Sequence, residues 1–262
     1  MQLSLFRGVH DTQPRPVTLE ELVTMMRTDQ SVRDLTEKHR YARTVGDEQG
    51  ASRYKKMMTS FGVAARFEGG RRQQHIVELT GLSLVDIDHI EPSDMERVVS
   101  LVRQDPHTLL AYTTLSGHGL RVLFRYAIDS KTTDCTDYTD FSTDGSSTPR
   151  ENNPRNPGNL WLNNQEYRQV FEQGNEYYRN LVNLESDPQC KNVGRISTIA
   201  YDEEVYYNPD AVPFVIKLEE KKPVGRPPKV KRLKMKPLWR ALMLLQKTKT
   251  MFILKLQMHL VN

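Results

Sequence analysis

Gly81-Leu-Ser-Leu-Val-Asp-Ile-Asp-His-Ile90 is the stretch whose reading decides the fold. It reads as a β-strand, because apolar and β-branched residues fill its centre and a glycine opens it. With a side-chain period of two, Asp86 and Asp88 fall on one face while Val85 and Ile87 fall on the other. Upstream, His75 to Leu79 reads as a second strand. Downstream, Ser93 with Glu96 three residues on opens a helix whose apolar face is Met95, Val98, Val99 and Val102. Leu109 to Leu115 reads as a strand, Ser116-Gly-His-Gly119 as a tight turn and Leu120 to Ile128 as a further strand. In that last strand Leu120, Val122, Phe124 and Tyr126 share one face, and Arg121 and Arg125 the other. Strands joined by tight turns and interleaved with amphipathic helices predict an α+β domain with a mixed or antiparallel sheet and packed helices.

Working outward, residues 1–72 read as a mainly helical lead-in to a core spanning 73–214. Thr18 and Glu21 form a capping-box pattern, followed by Leu19, Leu22, Val23 and Met26 at helical spacing. Within the core, 131–159 is rich in Thr, Asp, Ser, Asn and Pro and reads as a polar insertion that offers little to bury. Gln165 to about Leu184 reads as an amphipathic helix interrupted near Gly174, and Arg195 to Tyr201 as a strand ending at Asp202. Residues 215–237 read as a basic linker, since Lys221 to Lys236 holds eight Lys and Arg and its prolines and glycine disfavour a helix. Residues 238–262 form an apolar segment that reads as cut short.

Composition narrows the function classes. The chain has 262 residues, 37% of them hydrophobic, enough for one substantial domain. Its net charge of only +4 leaves any electrostatic case for nucleic acid to the placement of charges. Cys135 and Cys190 are far apart and follow no zinc-ligand rhythm, which argues against a disulfide framework or a structural zinc and fits a cytoplasmic protein. Neither a secretory leader nor a membrane-spanning run is expected.

The carboxylates carry the candidate chemistry. Two like charges side by side on Asp86 and Asp88 repel, and a hard divalent cation, Mg²⁺ or Mn²⁺, would relieve that cost. The bland alternative is a strand end where aspartates meet solvent. In the turn, Gly117 and Gly119 let the backbone approach a ligand, and His118 can donate to a phosphate oxygen. Arg121 and Arg125 are suited to phosphate contacts, although a plain hairpin explains the glycines equally well. Asp202, with Glu203 and Glu204 as neighbouring alternatives, reads either as a third metal carboxylate or as a turn cap.

Leu84-Val-Asp-Ile-Asp-His89, Ser116-Gly-His-Gly-Leu-Arg-Val-Leu-Phe-Arg125 and Arg195-Ile-Ser-Thr-Ile-Ala-Tyr-Asp202 with its Asn208-Pro-Asp-Ala211 tail resemble, in this order, the VirE N-terminal domain family. That family lies within the archaeo-eukaryotic primase superfamily and is typical of Bacteroides-type mobile elements and phages. The resemblance implies a primase-polymerase-like core, with Asp86, Asp88 and Asp202 as metal carboxylates and His118 on the incoming nucleotide's phosphates. It also implies that Ser116 supports the turn and that Arg195 is the arginine preceding the third motif.

The function expected is metal-dependent nucleotidyl transfer on a single-stranded DNA template from nucleoside triphosphates, in a mobile-element or phage replication protein, with a replicative helicase as a further partner. The alternatives are a non-catalytic nucleic-acid-binding or docking domain that keeps the fold, and a metal-dependent nuclease. Arg226, Lys229, Lys231, Arg232 and Lys234 are candidate DNA-backbone contacts, with a plain interdomain linker as the alternative.

Overall fold

In chain order the first strands are β1 (Gln2–Phe6), β2 (Arg15–Thr18), β3 (Ser60–Gly62), β4 (Ala65–Phe67) and β5 (Ile76–Leu79), with helices α1 (Leu19–Thr28), α2 (Gln30–Thr44) and α3 (Glu48–Met57) between β2 and β3. There follow β6 (Leu82–Ile87), α4 (Met95–Gln104), β7 (Thr108–Thr113), β8 (Leu120–Ile128), α5 (Asn164–Val182), β9 (Ile196–Thr198), β10 (Tyr206–Tyr207) and β11 (Phe214–Ile216). This computed structural model describes residues 1–129, 164–189 and 191–219. The polar insertion 131–159, the basic run Lys221 to Lys236 with Arg226, Lys229, Lys231, Arg232 and Lys234, and the segment 238–262 lie outside the described residues. Among the described residues no helix is long and apolar enough to cross a membrane.

β8 is the organising strand. It pairs antiparallel with β6, placing Asp86 opposite Arg121, and antiparallel with β7, placing Tyr112 opposite the same Arg121. β10 extends the sheet antiparallel to β7, and β11 pairs parallel with the far end of β8, so the fold is α+β with a mixed sheet. The alternation read from the sequence sorts the two faces. Val85, Ile87, Val122 and Phe124 pack on Val98 and Val102 of α4 and Val170, Tyr178 and Val182 of α5. On the opposite face Leu82, Leu84, Tyr112 and Leu123 pack on Leu3, Leu5, Leu22, Met26 and Phe61. Fully burying each such side chain contributes about 1.5–3 kcal/mol of transfer free energy.

The mainly helical reading of residues 1–72 is incomplete. The three helices are there, and Thr18 and Glu21 close the expected capping box on α1. The same segment also supplies β1, β2 and β3, which join β9 in a second sheet of order β2-β1-β3-β9. Strands of three to five residues are too short for a period of two to declare itself in sequence. Residues 1–219 form one compact unit.

The expected interruption of α5 at Gly174 is absent, and the glycine has a packing role. A Cβ built there would lie 2.1 Å from Cζ of Phe124. That ring is fully buried and held between Tyr178 and Phe214, at centroid separations of 5.8 and 5.9 Å. Gly174→Ala in an exposed helix would add about 1 kcal/mol of stability. Here the methyl group must displace Phe124, so we expect a net loss of roughly 1–3 kcal/mol. Denaturant unfolding reads this directly, and Phe124→Leu in the same chain should recover part of the loss.

Candidate functional site

The site grows from the carboxyl end of β6. Asp86 is 3% exposed, and its Oδ2 accepts from Nε and Nη2 of Arg121 at 3.1 and 3.0 Å. Nη1 of Arg121 donates to the Thr198 carbonyl at 2.7 Å. Burial opposes the charge on this guanidinium, but Tyr112 and Asp86 outweigh it and raise its proton affinity further. Arg121 thus points into the domain and ties β6 and β8 to β9, which differs from the phosphate-facing role expected of it. The other oxygen, Oδ1 of Asp86, is buried without a hydrogen-bond partner among the described residues. An orphaned carboxylate oxygen in a protein interior is costly and calls for a ligand.

Asp88 lies two residues on, past the strand end and exposed. Its proton affinity is raised, first by desolvation, then by Asp86 and, more weakly, Asp187, against the opposing pull of Arg121 and His89. His89 adopts the left-handed region with φ 58°, and the Ile90 N–H donates to the His118 carbonyl at 2.9 Å. The β6 end is thereby fastened to the β7–β8 turn.

In that turn Gly117 has φ 81°, Thr114 N–H donates to the Gly119 carbonyl at 2.9 Å, and the Ser116 hydroxyl accepts from the His118 N–H at 3.4 Å. His118 is left exposed at the tip. A Cβ at position 119 would lie 2.6 Å from the Ile87 carbonyl oxygen and 3.1 Å from Oδ1 of Asp88, so the close approach of the turn to β6 requires glycine. Two cavities open here. One, about 420 Å³, is lined by Arg40, Arg43, Thr44, Ser116, Gly117 and His118. The other, about 380 Å³, shares Arg43, Ser116 and His118 and adds Asp88, His89 and Glu91. The half-buried Arg40 donates to the carbonyls of Leu115 and Thr114, each at 3.3 Å, which docks α2 on the turn. Burial lowers its proton affinity, and Asp202 and Glu37 oppose that shift.

The remaining expected residues hold the scaffold. Oδ2 of Asp202 accepts from the Thr113 N–H at 2.8 Å and Oδ1 from the Glu204 N–H at 3.0 Å, the geometry of a turn cap on the edge of β7. Arg125 donates to the carbonyls of Pro209 and Ala211, and Arg195 pairs with Asp187 at 3.4 Å. Asp187 in turn sits on β6, its N–H donating to the Asp86 carbonyl at 2.8 Å.

Among the described residues no three His, Cys, Asp or Glu side chains are grouped to hold a metal ion, so the three-carboxylate set Asp86, Asp88 and Asp202 is not assembled. The pair Asp86 and Asp88 still fits a Mg²⁺ or Mn²⁺ that draws its other ligands from water and substrate phosphate, which is how Mg²⁺ commonly binds. Arg40, Arg43 and Asp187 were not singled out from sequence. The first two carried a usable signal, a three-residue spacing on one helix face.

The family model described as BT4734-like, N-terminal domain, matches residues 53–207, more than half of the chain. This corrects the resemblance to the VirE N-terminal domain family and its superfamily, which rested on three short motifs where the match runs from α3 to β10. No curated protein and no solved structure matches the chain.

Proposed function

The chain belongs to the BT4734-like, N-terminal domain family, and from the geometry of its cleft we propose that it is a metal-assisted nucleotidyltransferase acting on a nucleic-acid template. The observation that carries this reading is a carboxylate pair, one oxygen of it buried and unpartnered, beside a cleft walled by Arg40, Arg43 and His118. Asp86 and Asp88 would hold Mg²⁺ or Mn²⁺, which when bound neutralises charge on a phosphoryl group and polarises an attacking hydroxyl. Arg43 and His118 supply donors to triphosphate oxygens, and Arg40 adds positive potential from beneath the turn. Glu91 lines the same cavity and opposes any phosphate placed directly beside it. These groups act by placement and charge on the phosphates, with proton transfer secondary.

A second reading, a non-catalytic nucleic-acid-binding module, draws support from Arg121, which already neutralises much of the Asp86 charge. Extension of a labelled primer and synthesis on unprimed single-stranded DNA, with Mg²⁺ or Mn²⁺ and with ribo- and deoxyribonucleotides, separates the two. We expect incorporation by the wild type and a fall of about 10²-fold for His118→Ala at subsaturating triphosphate, the scale of one lost transition-state donor. A folded wild type that binds triphosphate and never incorporates it favours the second reading.

A further inference from the structure

A third cavity, about 550 Å³, lies on α3 outside the cleft, and its lining includes Glu48, Ser52, Arg53, Lys56 and Met57 of that helix and His10 of the β1–β2 connection. The four-residue steps through Glu48, Ser52 and Lys56 make this one face of the helix. The connection is fastened across the end of that face, because the Val9 N–H donates to the Lys56 carbonyl at 3.1 Å. From the β4–β5 connection, Nη1 of Arg71 donates to the Val9 carbonyl at 2.5 Å. Arg53 and Lys56 thus share the cavity with His10, and Arg71 is bound to the residue next to His10.

These cations carry uncompensated charge. Among the described residues Arg53, Lys56 and Arg71 are in no ion pair. The Arg53 guanidinium lies 5.0 Å from the centre of the Tyr54 ring and donates to its hydroxyl at 3.1 Å, contacts that hold it without neutralising it. The carboxylates nearby are taken up elsewhere. Glu48 pairs with Arg43 at 3.2 Å, and Asp11 accepts the N–H groups of Arg7 and Gln13 within its own connection, each at 2.8 Å. The dipole of α3 accounts for Lys56 in its last turn, but not for Arg53 or Arg71.

The build of the cavity selects the ligand. All of its side chains are exposed, so it suits an extended anion held by charge and not an enclosed small molecule. Arg43, the partner of Glu48, also lines both cavities of the cleft, so the two sites adjoin across a single ion pair. From Glu48 to Lys56 the helix runs about 12 Å, the rise of roughly three to four stacked nucleotides in one strand. A phosphodiester backbone leaving the cleft past Arg43 and following α3 therefore reaches Arg53 and Lys56.

We propose that the α3 cavity holds the phosphate backbone of the template strand beyond the cleft, with Arg53 and Lys56 on its phosphates and Arg71 adding positive potential, an inference that rests on reading the cleft as a site acting on a nucleic-acid template.

The test is fluorescence anisotropy of the full chain with a labelled oligothymidine of about 16 nucleotides across about 50–200 mM salt, repeated on a strand with uncharged methylphosphonate linkages. Arg53→Ala combined with Lys56→Ala removes two phosphate contacts. At about 0.7 per contact, the slope of log affinity against log salt should shrink by about 1.4, which is about 25-fold weaker binding at about 0.1 M salt. Arg53→Lys combined with Lys56→Arg should stay close to wild type. On the uncharged strand, and with a Mg²⁺-nucleoside triphosphate, the double alanine variant should match wild type. Both residues are exposed on a helix, where alanine is the best former, so the variants keep the fold, and circular dichroism verifies this. An unchanged slope and affinity overturn the proposal, as does an equal loss on the uncharged strand or in the charge-preserving variant. Oligoglutamate of matched charge competing as well as unlabelled oligothymidine overturns the assignment to nucleic acid. If the slope shrinks as expected and nucleotides are never incorporated, only the catalytic reading falls; incorporation with binding indifferent to Arg53 and Lys56 removes only this site.

Discussion

Arg121→Leu should cost about 3–5 kcal/mol, a fall in Tm of roughly 6–20 °C for a domain of this size. The variant leaves the Asp86 carboxylate 3% exposed without its counter-ion, and the Thr198 carbonyl without a donor. Arg121→Lys should recover only part of this loss, because an ammonium cannot reproduce the paired contacts to Oδ2 at 3.1 and 3.0 Å and reach Thr198 as well. Replacing both partners by apolar residues, Asp86→Leu with Arg121→Met, should return most of the stability, since no uncompensated charge then remains inside. Urea unfolding of the four proteins tests this order of stability. Had Arg121 faced a bound phosphate from the surface, its removal would leave stability within about 0.5 kcal/mol of wild type, and that result would refute the inward placement.

The same residue shows how far the sequence could be read. Alternation in Leu120 to Ile128 correctly separated Leu120, Val122, Phe124 and Tyr126 from Arg121 and Arg125, because period-two geometry is a local property. Which face is covered is decided elsewhere. The face bearing Arg121 is covered by Leu3, Met26 and Phe61, from strands and a helix more than fifty residues distant, so a guanidinium that reads as solvent-facing becomes the partner of a buried carboxylate. The Ser116 to Gly119 turn was legible because glycines at tight backbone approaches carry their own signal. Arg40 and Arg43 share a legible three-residue spacing on one helix face, but only the docking of α2 on the turn turns them into one wall of a cleft. Asp202 shows the converse: its position after a strand fits a metal ligand and a turn cap alike, and the hydrogen bonds from Thr113 and Glu204 describe the cap.

Asp88→Asn is the substitution that best isolates the proposed chemistry, because Asp88, unlike Asp86, supports no buried ion pair. Its removal deletes a metal carboxylate at nearly constant volume, and a metal's contribution of several kcal/mol corresponds to a fall in nucleotide incorporation of about 10²-fold or more. Binding of single-stranded DNA should persist or tighten as repulsion of phosphate declines. Stability should move the opposite way from activity. The folded-state pKa of Asp88 is raised above its ordinary 3.8, chiefly by desolvation. Between that value and the raised one the native state binds more protons than the unfolded chain, so stability falls as pH rises through this window and the penalty is constant above it. In EDTA at pH 7 the Asn variant should therefore melt above wild type, and the gap should close as pH is lowered below 3.8. Incorporation undiminished in a folded Asp88→Asn protein would remove Asp88 from the site. Loss of incorporation together with a lower melting temperature would mean that the carboxylate supports the fold and that its charge is not the catalytic element.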